Sequence, residues 1–198
     1  MKRYCLLFLF AFSFLRVSAQ GSDLQVCLHE SMINKLLAAL GNFSGSADYK
    51  VWFFKGTYKW TVMNPHIELK PGKADYICDV KVEDGPFDYQ TQVIGDAEVS
   101  YDQKTNLISV KITKGIFEIY TVILGRKFHI TQIDLANYYT DPLTFEGPMT
   151  MGTSMEFTMP DNSKKTIYIT PAACLLNVEH DQVIVKCQVQ FSEIPPKQ

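Results

Sequence analysis

The sequence predicts an α+β domain that is mainly antiparallel β: a curved sheet or a sandwich packed against one N-terminal amphipathic helix. Three observations carry that prediction. Residues 30–40 repeat their apolar side chains at helical spacing. Nearly everything after residue 48 alternates with period two, and no linker or low-complexity stretch divides the chain.

The chain opens with Lys2 and Arg3, continues as an apolar run over residues 4–15, and reaches Val17-Ser18-Ala19 before Gln20. This is the layout of a secretory signal peptide, with cleavage expected after Ala19. A membrane-spanning helix needs about 20 apolar residues, and this run stops short at Arg16. The expectation is therefore an exported protein, periplasmic or extracellular, with no transmembrane segment after processing. Residues 1–19 form the leader and residues 20–198 a single mostly-β domain. Removing Lys2, Arg3 and Arg16 from the 19 basic side chains leaves 16 against 21 acidic ones, a formal charge of −5. Nucleic acid, whose phosphates demand a basic face, is not an expected partner. With 46% hydrophobic and 13% aromatic residues over its full length, the chain is rich enough to bury a core.

Within residues 30–40, Met32, Ile33, Leu36, Leu37 and Leu40 recur at spacings of one, three and four, and Gly41 follows as a C-terminal cap. Residues 42–48 are polar and contain Gly45, which reads as a loop. Strands are expected over residues 50–54, 57–63, 66–69, 75–82, 87–93, 96–101, 107–112, 116–124, 128–133, 155–159 and 165–170, with a helical turn at 135–139. The breaks carry turn chemistry: Asn64-Pro65, Pro71-Gly72, Asp84-Gly85-Pro86, residues 102–106, and Pro160-Asp161-Asn162. Residues 83–87 and 145–149 echo each other, each with Gly-Pro read as beginning a strand.

Residues 174–187 read as a hairpin turning on His180-Asp181. In that register Val178 faces Val183, Leu176 faces Val185 and Cys174 faces Cys187 on a pair where side chains are closest. A Cys174–Cys187 disulfide is predicted, and by elimination Cys27–Cys78 among the four cysteines that survive processing.

The chemistry-bearing residues are sparse. His29, His66, His129 and His180 show no metal-ligand spacing, and there is no Cys-x-x-Cys. Gly152-Thr153-Ser154-Met155-Glu156 shares only its first three positions with a nucleophile elbow, because Glu156 stands where a small residue is needed. Asp75, Asp79 and Lys81 alternate with Tyr76, Cys78, Val80 and Val82, as on a solvated sheet face. Met149, Met151, Met155 and Met159 are dense enough to suggest copper(I) ligation by thioethers. No nearby His or Cys completes such a ligand set, so a pliant apolar surface is the better reading. No catalytic residue, metal or cofactor is expected. What stands out is apolar character on both faces of residues 116–124 and 51–54, which a sheet with one wet face would not have.

A short strand running into an amphipathic helix over residues 23–42, then long strands such as residues 58–69, resembles the start of a tubular lipid-binding module. The group is similar to the bactericidal permeability-increasing protein and its small bacterial periplasmic relatives, over about residues 23–134. The resemblance implies a helix lying along a highly curved antiparallel sheet, with acyl chains in the groove between them. It transfers no individual functional residue. The family's module ends in a second long helix, whereas residues 155–191 here read as four strands. The expected function is an exported, non-enzymatic protein holding a lipid or other apolar small molecule, lined by Met32, Leu36, Leu37, Trp60, Phe117, Ile119, Met149, Met151, Met155 and Met159. The alternative is a β-sandwich adhesion or assembly protein with a protein partner and no small-molecule ligand.

Overall fold

A computed structural model describes residues 21–51, 54–84, 87–149 and 154–195. The expected leader lies outside the described residues. Strand β1 (Leu24–His29) leads into helix α1 (Glu30–Leu40), followed by β2 (Phe43–Val51), β3 (Phe54–Lys70), β4 (Lys73–Asp84), β5 (Phe87–Asp102) and β6 (Leu107–Lys114). Next come β7 (Ile116–Ile123), β8 (Arg126–Asp134), a 3₁₀ turn (Leu135–Asn137), β9 (Leu143–Glu146), β10 (Ser154–Thr158), β11 (Lys164–Glu179) and β12 (Gln182–Ser192). The fold is mainly antiparallel β, with curled half-barrel sheets and one short N-terminal helix. A six-stranded sheet runs β2-β3-β4-β5-β6-β9, a four-stranded sheet β1-β12-β11-β10, and β7 pairs with β8.

Helix α1 begins where it does because His29 Nδ1 accepts from Ser31 N at 3.2 Å, and it ends where Gly41 takes φ 76°. Its five apolar residues do not share one buried face. Ile33 and Leu37, one turn apart, are fully buried, whereas Met32, Leu36 and Leu40 remain exposed. The rotation is set by polar groups. Asn34 Nδ2 donates to Ile67 O (2.9 Å), Ile67 N donates to Asn34 Oδ1 (2.7 Å), and Leu69 N donates to Glu30 Oε2 (2.7 Å). These bonds satisfy the edge of β3 where β2 no longer covers it, since β2 pairs with β3 only as far as Val62.

Several expected boundaries are corrected in the same way, by runs that continue through an irregularity. The break at Asn64-Pro65 is a bulge inside β3, between Met63 and His66, with Asn64 at φ 52°. Expected strands 87–93 and 96–101 form the single β5, with a register shift at Asp96/Ala97. The expected strands 165–170 and 174–179 join as β11 through an irregularity at Pro171/Ala173, so residues 155–191 hold three strands and not four. The expected loop at 42–48 is β2, whose Gly45 lies beneath the Trp60 indole. Gly147 and Pro148 follow β9 and do not begin a strand; Gly85 and Pro86 lie outside the described residues.

The terminal hairpin has the expected register: Val178 opposite Val183, Leu176 opposite Val185, and Cys174 opposite Cys187. The Cys174–Cys187 disulfide is formed, with the two Cα atoms 4.1 Å apart. The second expected disulfide is not formed; Cys27 and Cys78 are free. Parity explains why. Leu24, Val26 and Leu28 pair with Cys187, Val185 and Val183 on the core face, which turns Cys27 outward, where its thiol donates to Gln182 Oε1 at 2.9 Å. Cys78 points into the core from β4. The two large sheets meet at their turns, where Gly72 N donates to Val178 O (2.9 Å) and Asp181 N to Leu69 O (3.3 Å), and the start of α1 joins the same corner through Glu30 N to Asp181 O (2.8 Å).

Candidate functional site

The residues expected to line a ligand site separate into two groups. Leu37, Trp60, Phe117 and Ile119 are buried within one continuous core, and Met149 packs partly buried against it. Trp60 sits edge-on to Phe43 (5.7 Å), Phe117 (5.8 Å) and Tyr138 (5.0 Å), and the Tyr76 hydroxyl donates to that of Tyr139 at 3.2 Å. Burial pushes the Cys78 thiol up to about 11 and raises Tyr76 far above its ordinary value, so neither ionises near neutral pH. Met149 is held by Asn106, which accepts from its N–H and donates to its carbonyl, both at 3.0 Å. These residues fill the interior of the fold.

The second group lies elsewhere. Met32 and Leu36 face outward on α1, while Met155 and Met159 lie exposed on and just after β10. Met151 lies outside the described residues. The β10 methionines belong to a larger surface that the methionine pattern alone did not reveal. Met155 pairs with Ile167, Phe157 with Lys165 and Ile169 with Phe191, so these side chains share one face of the sheet. Alternation along β12 makes that the same face as Val183, Val185 and Cys187, which are fully buried. The core-facing side of the sheet thus runs on past the core, leaving Phe157 49% and Phe191 64% exposed. At its rim a Lys165–Glu193 ion pair (2.5 Å) flanks a depression of about 460 Å³ that Met159 and Pro160 also line. The signal for Phe157 was its parity with Met155 and Met159.

Polar constellations are few among the described residues, and no group of three or more His, Cys, Asp or Glu is placed to hold a metal ion. His129 pairs with a carboxylate: its Nδ1 lies 2.9 Å from Glu118 Oε1, while Lys127 Nζ lies 2.7 Å from Oε2. Both His129 and Glu118 stand on the outward side of the β7–β8 hairpin. Lys127 also sits over the Tyr120 ring at 3.9 Å, and Tyr120 stacks on Tyr89 at 4.2 Å, which is how the outward aromatic of β7 is covered. Asp75, expected on a solvated face, is instead buried beneath Lys73 (2.6 Å) and Lys70 (3.1 Å).

The ion pairs have a pH consequence. Lys73 and then Lys70 hold the Asp75 carboxyl below its usual range, and Lys127 and then His129 do the same for Glu118. A depressed carboxylate contributes stability that is complete above its unfolded value, about 4, and is lost as pH falls through the lower folded value. Urea midpoints are expected to be flat from pH 7 to about 5 and to drop below about pH 4, with Glu118→Gln showing a smaller drop. An acid-side drop unchanged in both Glu118→Gln and Asp75→Asn would remove these pairs as its source.

In comparisons with known proteins, no family model matches the chain and no curated protein matches it.

Proposed function

We propose that this is an exported, non-enzymatic binding protein that holds a lipid or other apolar molecule against the open face of β10, β11 and β12. One observation carries the reading: the apolar side of this sheet continues beyond the core with Met155, Phe157, Met159 and Phe191 uncovered. Helix α1, beneath which the resemblance would put acyl chains, instead packs directly on β3, with Ile33 and Leu37 buried and Asn34 and Glu30 bonded to the β3 backbone. The four uncovered side chains offer on the order of 300 Å² of apolar surface, worth about 7 kcal/mol at ~25 cal/mol per Å² before association costs. That suits an acyl chain or similar ligand. A stable protein interface needs about 800 Å² per partner.

A second reading, an assembly protein, is favoured by β10 itself. It closes one end of the four-stranded sheet, and all five of its residues are exposed.

Native mass spectrometry of the exported, processed protein, with organic extraction of anything bound, separates the two. A co-purifying lipid, or stoichiometric uptake of added fatty acid, is expected. Phe157→Asp is expected to weaken uptake about tenfold or more, with Leu36→Asp on α1 leaving it unchanged. Loss in Leu36→Asp alone would move the ligand to the helix. A clean apo mass that takes up no lipid and forms dimers would favour assembly.

A further inference from the structure

The β7–β8 hairpin turns on Leu124 and Gly125, between the paired residues Ile123 and Arg126. Both turn residues have positive φ, 50° and 74°, as a type I′ turn requires. Asn-Gly is the favoured sequence for such a turn. The other described non-glycine residues with positive φ obey that chemistry, being Asn64, Asn106, Asn162 and Asp181; Leu124 does not. Its side chain is also 98% exposed. Two separate costs, a strained backbone for a residue without a local polar side chain and a leucine left wholly in water, fall on one position at the end of a hairpin. Behind it stand the half-buried Val122 and Ile123. Beside it Arg126 is exposed and makes no ion pair among the described residues, and Lys127 adds a second cation that shares Glu118 with His129.

We infer that this hairpin end docks the protein on a lipid bilayer bearing anionic headgroups. Leu124 enters the headgroup and acyl boundary, Arg126 meets the phosphates, and the strained turn is what aims the leucine outward. The inference does not rest on the binding of a ligand at β10–β12. A single leucine with one free cation gives weak, reversible attachment, which brings the protein to a membrane without anchoring it.

The test is flotation of the exported, processed protein with vesicles of phosphatidylcholine containing 30% phosphatidylglycerol, compared with pure phosphatidylcholine. Partition onto the anionic vesicles is expected, lowered by 0.5 M salt. Leu124→Asn is expected to reduce partition about tenfold or more while raising Tm by about 2–4 °C, because Asn suits the turn that Leu strains. Gain of stability with loss of binding excludes unfolding as the cause. Arg126→Gln is expected to abolish the preference for anionic lipid. Failure of the wild-type protein to float, or equal flotation of wild type and Leu124→Asn, overturns the inference. Unchanged lipid uptake by Leu124→Asn in native mass spectrometry keeps this outcome distinct from that of the β10–β12 face.

Discussion

Trp60→Ala is expected to destabilise the fold by about 3–5 kcal/mol, the largest loss for any one side chain here. Trp60 is 2% exposed and its ring meets Phe43, Phe117 and Tyr138, so its removal strips partners from β2, β7 and the segment after the 3₁₀ turn at once. The ring also lies over Gly45 on the paired strand: a Cβ built there would fall 2.6 Å from the indole Cε2. Gly45→Ala is therefore expected to destabilise as well, by overpacking of about 1–3 kcal/mol. The two changes should be non-additive, because an alanine at 45 fills part of the space that Trp60→Ala opens. Urea unfolding of the four members of this cycle measures the coupling, expected at about 1 kcal/mol or more in favour of the double variant. Simple additivity would mean that the indole does not rest on Gly45.

The same pair of residues marks where sequence reasoning failed. Ser44, Gly45 and Ser46 have the composition of a loop, and only the indole supplied by a neighbouring strand makes Gly45 a good strand residue. Asn64-Pro65 is turn chemistry in isolation, yet β4 pairs on both sides of it and converts it to a bulge. Local signals survived where local forces decide. The helix bounds followed from apolar spacing and Gly41, and the register of the terminal hairpin followed from alternation counted outward from its turn. Which side of α1 is buried was not legible, since Ile33 and Leu37 win over Met32, Leu36 and Leu40 only through the bonds of Asn34 and Glu30 to β3, about 35 residues away. For the candidate site, Met155 and Met159 were legible as an apolar surface. Phe157 lies between them at the same parity, but the methionine pattern points to Met149 and Met151 instead. Phe191 required the pairing with Ile169, which no local pattern contains.

Breaking the Cys174–Cys187 disulfide, by reduction or by serine at both positions, is expected to cost about 3 kcal/mol, the scale set by its 13-residue separation. The loss should not stop at stability. The bond joins β11 to β12 at the point where their shared face passes from buried Val185 and Cys187 to the uncovered Phe191, so it ties the exposed end of the sheet to the core. Reduction is then expected to weaken uptake at β10–β12 more than vesicle docking by the β7–β8 hairpin, which belongs to a different sheet. Thiol titration of residues 20–198 checks both the bond and the two free thiols. Cys27 is exposed and should react in the native protein; Cys78, buried with its thiol at about 11, should react only after denaturation, and Cys174 and Cys187 only after reduction. No reactive thiol in the denatured, unreduced protein would restore a Cys27–Cys78 bond, and with it a β1 turned so that Leu24, Val26 and Leu28 leave the core.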